Sequence, residues 1–487
     1  MTRPMGATRP SSGALLALSI DRGAEEPLHA QVARQLRQFI LSGRLKSSAR
    51  MPSSRALAQE LGVSRVTITF AYDQLASEGY LEGRRGSGMY VSPELPDDVL
   101  KVAKADKPKA PRVAAARPAT GSPHMPFQIG AIDPALFPHA TWSRLLARTW
   151  RQPSPALTGV PDSFGWLALR DAIATHLAEW RGIACAPEQI VITSGTADAT
   201  DIIAQCAFAP GDRVCVEEPG YAALRLGLAR HGLRLEPTLV DADGFDLAGA
   251  TGSAGAKGAF LTPSRQFPLG ATLPLARRLA LLEWVAGVRG YLVEDDFDSE
   301  YRYEGAPLPA LMSLDRNGRV IYLGSFSKIL SPTLRLGFIV LPPGLIDGVR
   351  RYLGTRGVMA ALTAQPALAE LIASGELALH IRRTRRVYAR RQAAMIAAAP
   401  RLEGLLEVQP SSAGMHLVAD LTPELARRMS DRTAARITGE AGVIVSPLAD
   451  YYAGRPQRRA LLLGFAGFAE PDLQRAIERL ATTLRKA

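Results

Sequence analysis

At 487 residues the chain is longer than one ordinary core accommodates, which predicts two or three domains. Its 47% hydrophobic and 21% charged residues and mean hydropathy of +0.02 suit a globular protein, and no apolar run reaches the ~20 residues of a membrane span. Three scattered cysteines, Cys185, Cys206 and Cys215, form neither a disulfide framework nor a zinc motif, so no metal is expected and a reducing cytoplasm fits.

The formal charge of +12 is unevenly spread. Residues 1–120 carry 18 Lys/Arg against 11 Asp/Glu, a surplus of seven in a quarter of the chain, which points to a polyanionic partner such as DNA. The first residues, MTRPMGATRPSSGALLALSI, lack the sustained apolar core of a signal peptide and read as a loose tail leading into a short strand.

Residues 20–92 read as one unit. Leu28, Val32, Leu36, Phe39 and Ile40 recur at helical spacing, and Gly43 ends that helix. SSRALAQEL (residues 53–61) makes a second helix with Ser53 or Ser54 as N-cap, and Gly62 breaks it. A third helix runs from Ser64 to about Ser77, followed by YLEGRRGSGMYV, two short strands around a Gly-rich turn. Three helices and a hairpin predict a winged helix-turn-helix. The third helix would present Ser64, Arg65, Thr67 and Thr69 to bases and phosphates, with Arg55, Arg84 and Arg85 extending the cationic footprint. Gly86 and Gly88 would let the wing backbone approach the duplex. Taken singly, each arginine reads equally well as a surface ion-pair partner and Ser64 as a plain cap.

Residues 93–126 turn to Pro, Ala and Lys without apolar periodicity, and 101–120 hold six basic residues against one acid, a flexible basic linker. From residue 127 to 487 helices alternate with short apolar strands: QIVITSG, RVCVEEPGY, GAFLTPS, GYLVEDDFD, VIYLGSFSK and RLGFIVL. This pattern predicts an α/β domain with a mostly parallel sheet and ligand loops at the strand ends. After about residue 345 the chain becomes helix-rich and closes with a small α+β subdomain.

The strand ends hold the parts of a site for pyridoxal 5'-phosphate (PLP). GSFSKILSPTLRLGF supplies Lys328 for a Schiff base, with Ser325, Ser327 and Arg335 for the phosphate. TSGTADA places Ser194, Gly195 and Thr196 between a strand and a helix, where N–H groups favour anions. Asp295 could pair the pyridine nitrogen, Tyr221 could stack on the ring, and Gln266 could donate to its hydroxyl. Alone, Lys328 is an ordinary surface lysine, Asp295 a turn residue and Tyr221 the edge of a core.

Two resemblances join these readings. MPSSRALAQELGVSRVTITFAYDQLASEGYLEGRRGSGMYV resembles the GntR winged helix-turn-helix, which implies that Arg55, Ser64, Arg65, Thr69 and the wing contact operator DNA. The order and spacing of the later motifs resemble fold-type I aminotransferases across about residues 125–480, and EDDFDSEYRY resembles the signature of the MocR subfamily. That resemblance implies a transcription regulator working as a head-to-tail, domain-swapped homodimer and responding to PLP or to PLP plus an amine or amino-acid effector.

Two residues depart from the family pattern. Phe297 stands where a tyrosine hydroxyl usually bonds the cofactor's ring oxygen, and Leu462 stands where aminotransferases hold the substrate carboxylate with an arginine. Arg225, Arg455 and Arg459 are the candidate substitutes. Both departures disfavour ordinary transamination, leaving a catalytically active aminotransferase with an ancillary DNA-binding head as the alternative.

Overall fold

The computed structural model describes residues 18–24, 26–84, 87–93, 95, 125–248, 255–305 and 309–487. The chain divides into two compact units at residues 120/121. Most of the predicted linker, with Arg85 and Gly86, lies outside the described residues.

In the N-terminal unit, α1 (Leu28–Leu41) buries Val32, Leu36, Phe39 and Ile40 of the predicted stripe and leaves Leu28 part-buried. The next two helices, α2 (Ser54–Leu61) and α3 (Arg65–Ser77), each begin at a serine cap. Ser53 Oγ accepts from Ala56 N at 3.2 Å and Ser64 Oγ from Thr67 N at 3.1 Å. Gly62 ends α2 at φ 64°, a left-handed backbone that glycine adopts without strain. Strands β1 (Leu81–Arg84) and β2 (Gly88–Val91) pair antiparallel, Leu81 opposite Val91. The strand expected near residue 20 does not form among the described residues. Leu18 is buried in the head's core, and the backbone of Ser19 is satisfied by the Gln35 side chain, at 3.0 and 2.6 Å, rather than by a ladder.

The second unit is built on eight strands: β3 (Ile190–Thr193), β4 (Arg213–Glu218), β5 (Arg234–Asp241), β6 (Gly244–Phe245), β7 (Ala256–Leu261), β8 (Tyr291–Asp296), β9 (Val320–Ser325) and β10 (Gly337–Val340). Their order is β3-β10-β9-β8-β7-β4-β5-β6. Strands β5, β4, β7, β8 and β9 run parallel, β10 is antiparallel to both neighbours, and β6 is antiparallel to β5.

Both sheet faces are covered, so the central strands read as continuous apolar runs. Val214, Val216, Phe260 and Val293 pack with Ile202 and Ile203 of α4 (Thr196–Ala207), while Cys215, Ala259, Leu261 and Leu292 pack on the other face with Leu281 and Val285 of α5 (Leu275–Val288). The sequence reading lacked β5 and β6. Strand β5 is polar, carries Pro237 and buries Thr238 alone, so no apolar run marks it.

A four-stranded antiparallel sheet forms the C-terminal subdomain: β11 (Leu406–Gln409), β12 (His416–Leu421), β13 (Ser446–Pro447) and β14 (Ala460–Gly464), in the order β11-β12-β14-β13. Its core takes Tyr388 and Met395 from α6 (Glu376–Ala398), and Leu473, Ile477 and Leu480 from α7 (Glu470–Lys486). Phe127, fully buried there, accepts from Gly464 N at 2.9 Å, and a Cβ on Gly464 would lie 2.4 Å from Gln128 O. The segment leading to Gly130 is thereby clamped against β14. Among the described residues no helix is long and apolar enough to cross a membrane.

Candidate functional site

The cofactor-site candidates cluster at the C-terminal ends of β3, β4, β8 and β9, as the parallel topology requires. Lys328 follows β9 and is part-buried, with Nζ donating to Gly130 O at 3.1 Å. Burial lowers its pKa, opposed by the nearby Asp298 carboxylate. Tyr301 Oη donates to Lys328 O at 3.3 Å, holding the lysine backbone in place.

Period-two alternation on β8 splits the acidic run. Glu294 accepts from Leu311 N and Met312 N at 2.9 Å, and Asp296 accepts from Tyr322 Oη at 2.6 Å and pairs with Arg181 Nε at 2.8 Å. Asp295 faces the other way and has no hydrogen-bond or ion-pair partner among the described residues. Burial, reinforced by Asp296, Glu217 and Asp298, pushes its carboxyl up to about 7. A buried carboxylate without a partner needs a cation or a proton.

The anion side likewise offers donors without partners among the described residues. Gly195 caps α4 at φ 115°, where the first-turn N–H groups have no intrahelical partner. The Arg335 guanidinium lies over it, 3.8 Å from where a Gly195 Cβ would be, and forms no hydrogen bond or ion pair among the described residues. Ser194 N is occupied by Asp198 Oδ2 at 2.8 Å, whereas the Ser194 and Thr196 hydroxyls make no bond within the described residues. Ser325 Oγ accepts from Ser327 N at 3.2 Å, shaping the loop before the lysine.

Tyr221 caps the helix after β4 and is 44% exposed; burial of its hydroxyl and then the Asp295 charge raise its pKa, which places it beside that carboxylate. Gln266 is held by its own loops. Its Nε2 donates to Pro219 O at 2.9 Å and Phe267 O at 2.6 Å, and its Oε1 accepts from Leu269 N at 2.9 Å. With both amide hydrogens committed, it fixes two loops and has none for a ring hydroxyl.

Arg225 donates through Nη1 to Gly220 O at 2.9 Å and Tyr451 O at 2.8 Å, and Arg459 donates to Ala426 O. Arg455 is exposed and unpaired among the described residues. Leu462 is wholly buried with Val418, Leu448 and Ala460, packed by Ile129, Leu269, Tyr451 and Tyr452. Phe297 meets Phe267 edge-on at 5.6 Å.

Three site residues escaped the sequence reading. Gly130, at φ 74°, leaves the room Lys328 occupies: a Cβ there would lie 2.4 Å from Nζ. Arg265 binds Asp298 at 3.2 Å and the carbonyls of Ala413 and His416 at 3.1 Å, wholly buried. His416 Nε2 hydrogen-bonds Pro268 O at 2.8 Å, and burial followed by the Arg265 charge depresses its pKa to about 3, so the ring is neutral. Each belongs to a segment whose motif carries no charge signature pointing to Lys328.

In the N-terminal unit, Arg55 and Arg65 are exposed on consecutive helices, Arg65 Nε touching Ser54 Oγ at 3.3 Å. A groove of about 520 Å³ runs between helices and wing past Arg50, Ser54, Thr69 and Gly88. Several predicted phosphate donors are otherwise engaged in the free head. Ser64 Oγ is the helix cap and lies 2.8 Å from Thr67 Oγ1, and Thr69 Oγ1 donates to Arg65 O at 3.0 Å. Arg84 pairs with Glu82 at 2.6 Å and covers the Tyr90 ring at 4.5 Å.

Comparison with known proteins agrees with both halves. Residues 28–91 match the gntR family of bacterial regulatory proteins, and residues 138–480 match aminotransferase class I and II. Rhizobium meliloti MocR, described as a probable rhizopine catabolism regulatory protein, is 40% identical over 95% of each chain. Corynebacterium glutamicum PdxR, a pyridoxine biosynthesis transcriptional regulator, is 32% identical over 94% of this chain and 97% of its own. Among solved structures, a Pyrococcus horikoshii kynurenine aminotransferase superposes with TM-score 0.67 at 28% identity, covering 74% of this chain and 90% of its own. LysN, an α-aminoadipate aminotransferase of Thermus thermophilus, gives 0.67 at 27% identity over 75% and 93%. The cofactor of this body is PLP, and an unpartnered buried carboxylate, an unpartnered guanidinium over a helix N-terminus and a buried lysine fit it. The chain belongs to the MocR subfamily of GntR-type transcription regulators, a DNA-binding head joined to an aminotransferase-like body.

Proposed function

We propose that the body senses a small molecule through PLP and that its occupancy changes how the head binds operator DNA. Lys328 would anchor the cofactor, Asp295 would pair its ring nitrogen, and Arg335 with the Ser194–Thr196 turn would hold its phosphate. Bound PLP supplies an aldehyde that condenses with amines. Tyr221 would flank the ring, and the Gln266 bonds would keep that loop fixed. Arg55, Arg65 and the residues around the groove of the head would grip the duplex, in a cytoplasmic homodimer whose heads cross to the partner's body.

One observation carries the sensing reading over the enzymatic one. The groups that would hold the cofactor stand ready, yet the position that would hold a substrate carboxylate is Leu462 in an apolar cluster. A site that keeps its cofactor and lacks that anchor suits signalling better than turnover. The relatives' names, spanning pyridoxine biosynthesis and rhizopine catabolism, agree with one body plan tuned to different molecules.

The test is a gel shift against the DNA upstream of the protein's own gene, with and without PLP. Wild-type affinity should change with PLP, and Lys328→Ala should bind DNA but ignore the cofactor. Identical wild-type shifts with and without PLP would overturn the reading.

A further inference from the structure

Several of the site's guanidiniums are held by the chain itself before any effector arrives. Arg265 is buried against Asp298 and two carbonyls, Arg225 against two carbonyls, and Arg459 donates to Ala426 O. Arg335 lies at the Gly195 turn, where it faces an anion already assigned, the cofactor phosphate. His416 is neutral. Around the same space stand acidic groups: Asp295, without a partner among the described residues, Asp298, paired with Arg265, Glu217, which accepts from Thr262, and Glu218, which accepts from Ala453 N at 2.8 Å and Gly454 N at 2.9 Å. A ligand carboxylate there would be set among these carboxyl groups, and of the site's candidate guanidiniums only Arg335 and the exposed Arg455 are unpartnered among the described residues.

The walls have a shape of their own. Phe267 is the hub of four edge-to-face contacts, with Tyr221 at 6.0 Å, Phe297 at 5.6 Å, His416 at 5.6 Å and Tyr451 at 5.3 Å, at interplanar angles of 76–88°. Tyr221 is exposed and Phe267, Phe297 and Tyr451 are part-buried, so none of the four is sealed in the core. Behind Tyr451 lies the Leu462 cluster. Rings set edge to face present a flat, apolar box, which favours a ring-bearing body over a charged one.

We propose that the effector is a primary amine without a carboxylate, carrying a flat or ring-shaped body that packs against Phe267, Phe297, Tyr221 and Tyr451. This rests on the reading that the body senses an amine. Phe297 and Leu462 are then specificity residues: each replaces a polar group by an apolar wall, and together they turn an amino-acid site into an amine site.

The test compares 2-phenylethylamine with phenylalanine, which differ by the carboxylate, and with butylamine, which lacks the ring. Full-length PLP-loaded protein is titrated with each, reading the visible absorbance of the bound cofactor and the DNA gel shift. Phenylethylamine should act at roughly tenfold lower concentration than either comparator, the size expected for one buried unpaired charge or one aromatic wall. Phenylalanine acting as well as phenylethylamine would overturn the proposal. If Arg455→Ala then removes the phenylalanine response, Arg455 is the missing carboxylate anchor and the proposal equally fails. Butylamine matching phenylethylamine would remove the ring requirement and overturn it too. These outcomes are separate from the functional reading, which falls only if PLP itself leaves DNA binding unchanged.

Discussion

The amine of Lys328 donates to the carbonyl oxygen of Gly130, 3.1 Å away, although 198 residues separate them. The contact exists because Gly130 has no side chain: a Cβ would sit 2.4 Å from that nitrogen. Gly130→Ala is therefore expected to displace the lysine and prevent cofactor loading, while the head still binds DNA. A PLP titration followed by visible absorbance checks this; a variant that loads like wild type contradicts it.

Neighbouring aspartates should behave in opposite ways. Asp296→Ala removes the partner of the buried Arg181 and Tyr322, and is expected to destabilise the body by about 3 kcal/mol or more. Asp295→Asn removes a carboxylate that nothing in the described chain neutralises, so the cofactor-free body should be no less stable while PLP affinity falls at least roughly tenfold. Urea unfolding and PLP titration of both variants separate the two roles.

Burial pushes Asp295 and Glu217 up to about 7 and Asp298 up to about 6. Unfolded carboxyls titrate near ~4, so the folded body retains protons that the unfolded chain has released. Their contribution to stability is complete below pH ~4 and is lost as the pH rises through 6 to 7. The cofactor-free protein should accordingly lose stability between pH 5 and 8, and Asp295→Asn should lose less. Urea midpoints across that window measure it; stability rising with pH at these sites would be the wrong sign.

On the head, Arg65→Ala and Arg55→Ala should each weaken operator binding and lower the salt slope by about 1 if the lost contact is to phosphate. Ser64→Ala should instead cost about 1 kcal/mol of head stability through the lost cap, with the salt slope unchanged. Gel shifts over a salt series, beside thermal unfolding, distinguish grip from scaffold.

Sequence alone reveals much of this architecture where chemistry sits at strand ends. Lys328, Asp295 and the Ser194–Thr196 turn follow apolar runs, and parallel strands bring such ends together. The three-helix head is legible for a similar reason, since Ser53, Ser64 and Gly62 punctuate it locally. Contacts made across the chain are not legible. Gly130 reaches Lys328 only because β14 clamps Phe127, and Arg265 reaches His416 O across 151 residues. Nor can a loop sequence say which way an amide points, so Gln266 reads as a donor to ligand when its hydrogens hold Pro219 and Phe267. Strand β5 was hidden by its own polarity.

Glu218, the last residue of β4, and Arg225, in the helix that follows it, fasten the backbone of Tyr451, Ala453 and Gly454. Tyr221 and Tyr451, 230 residues apart in the chain, are thereby tied to one strand–helix junction. Loosening that fastening, as Glu218→Ala would, is expected to disturb both rings at once.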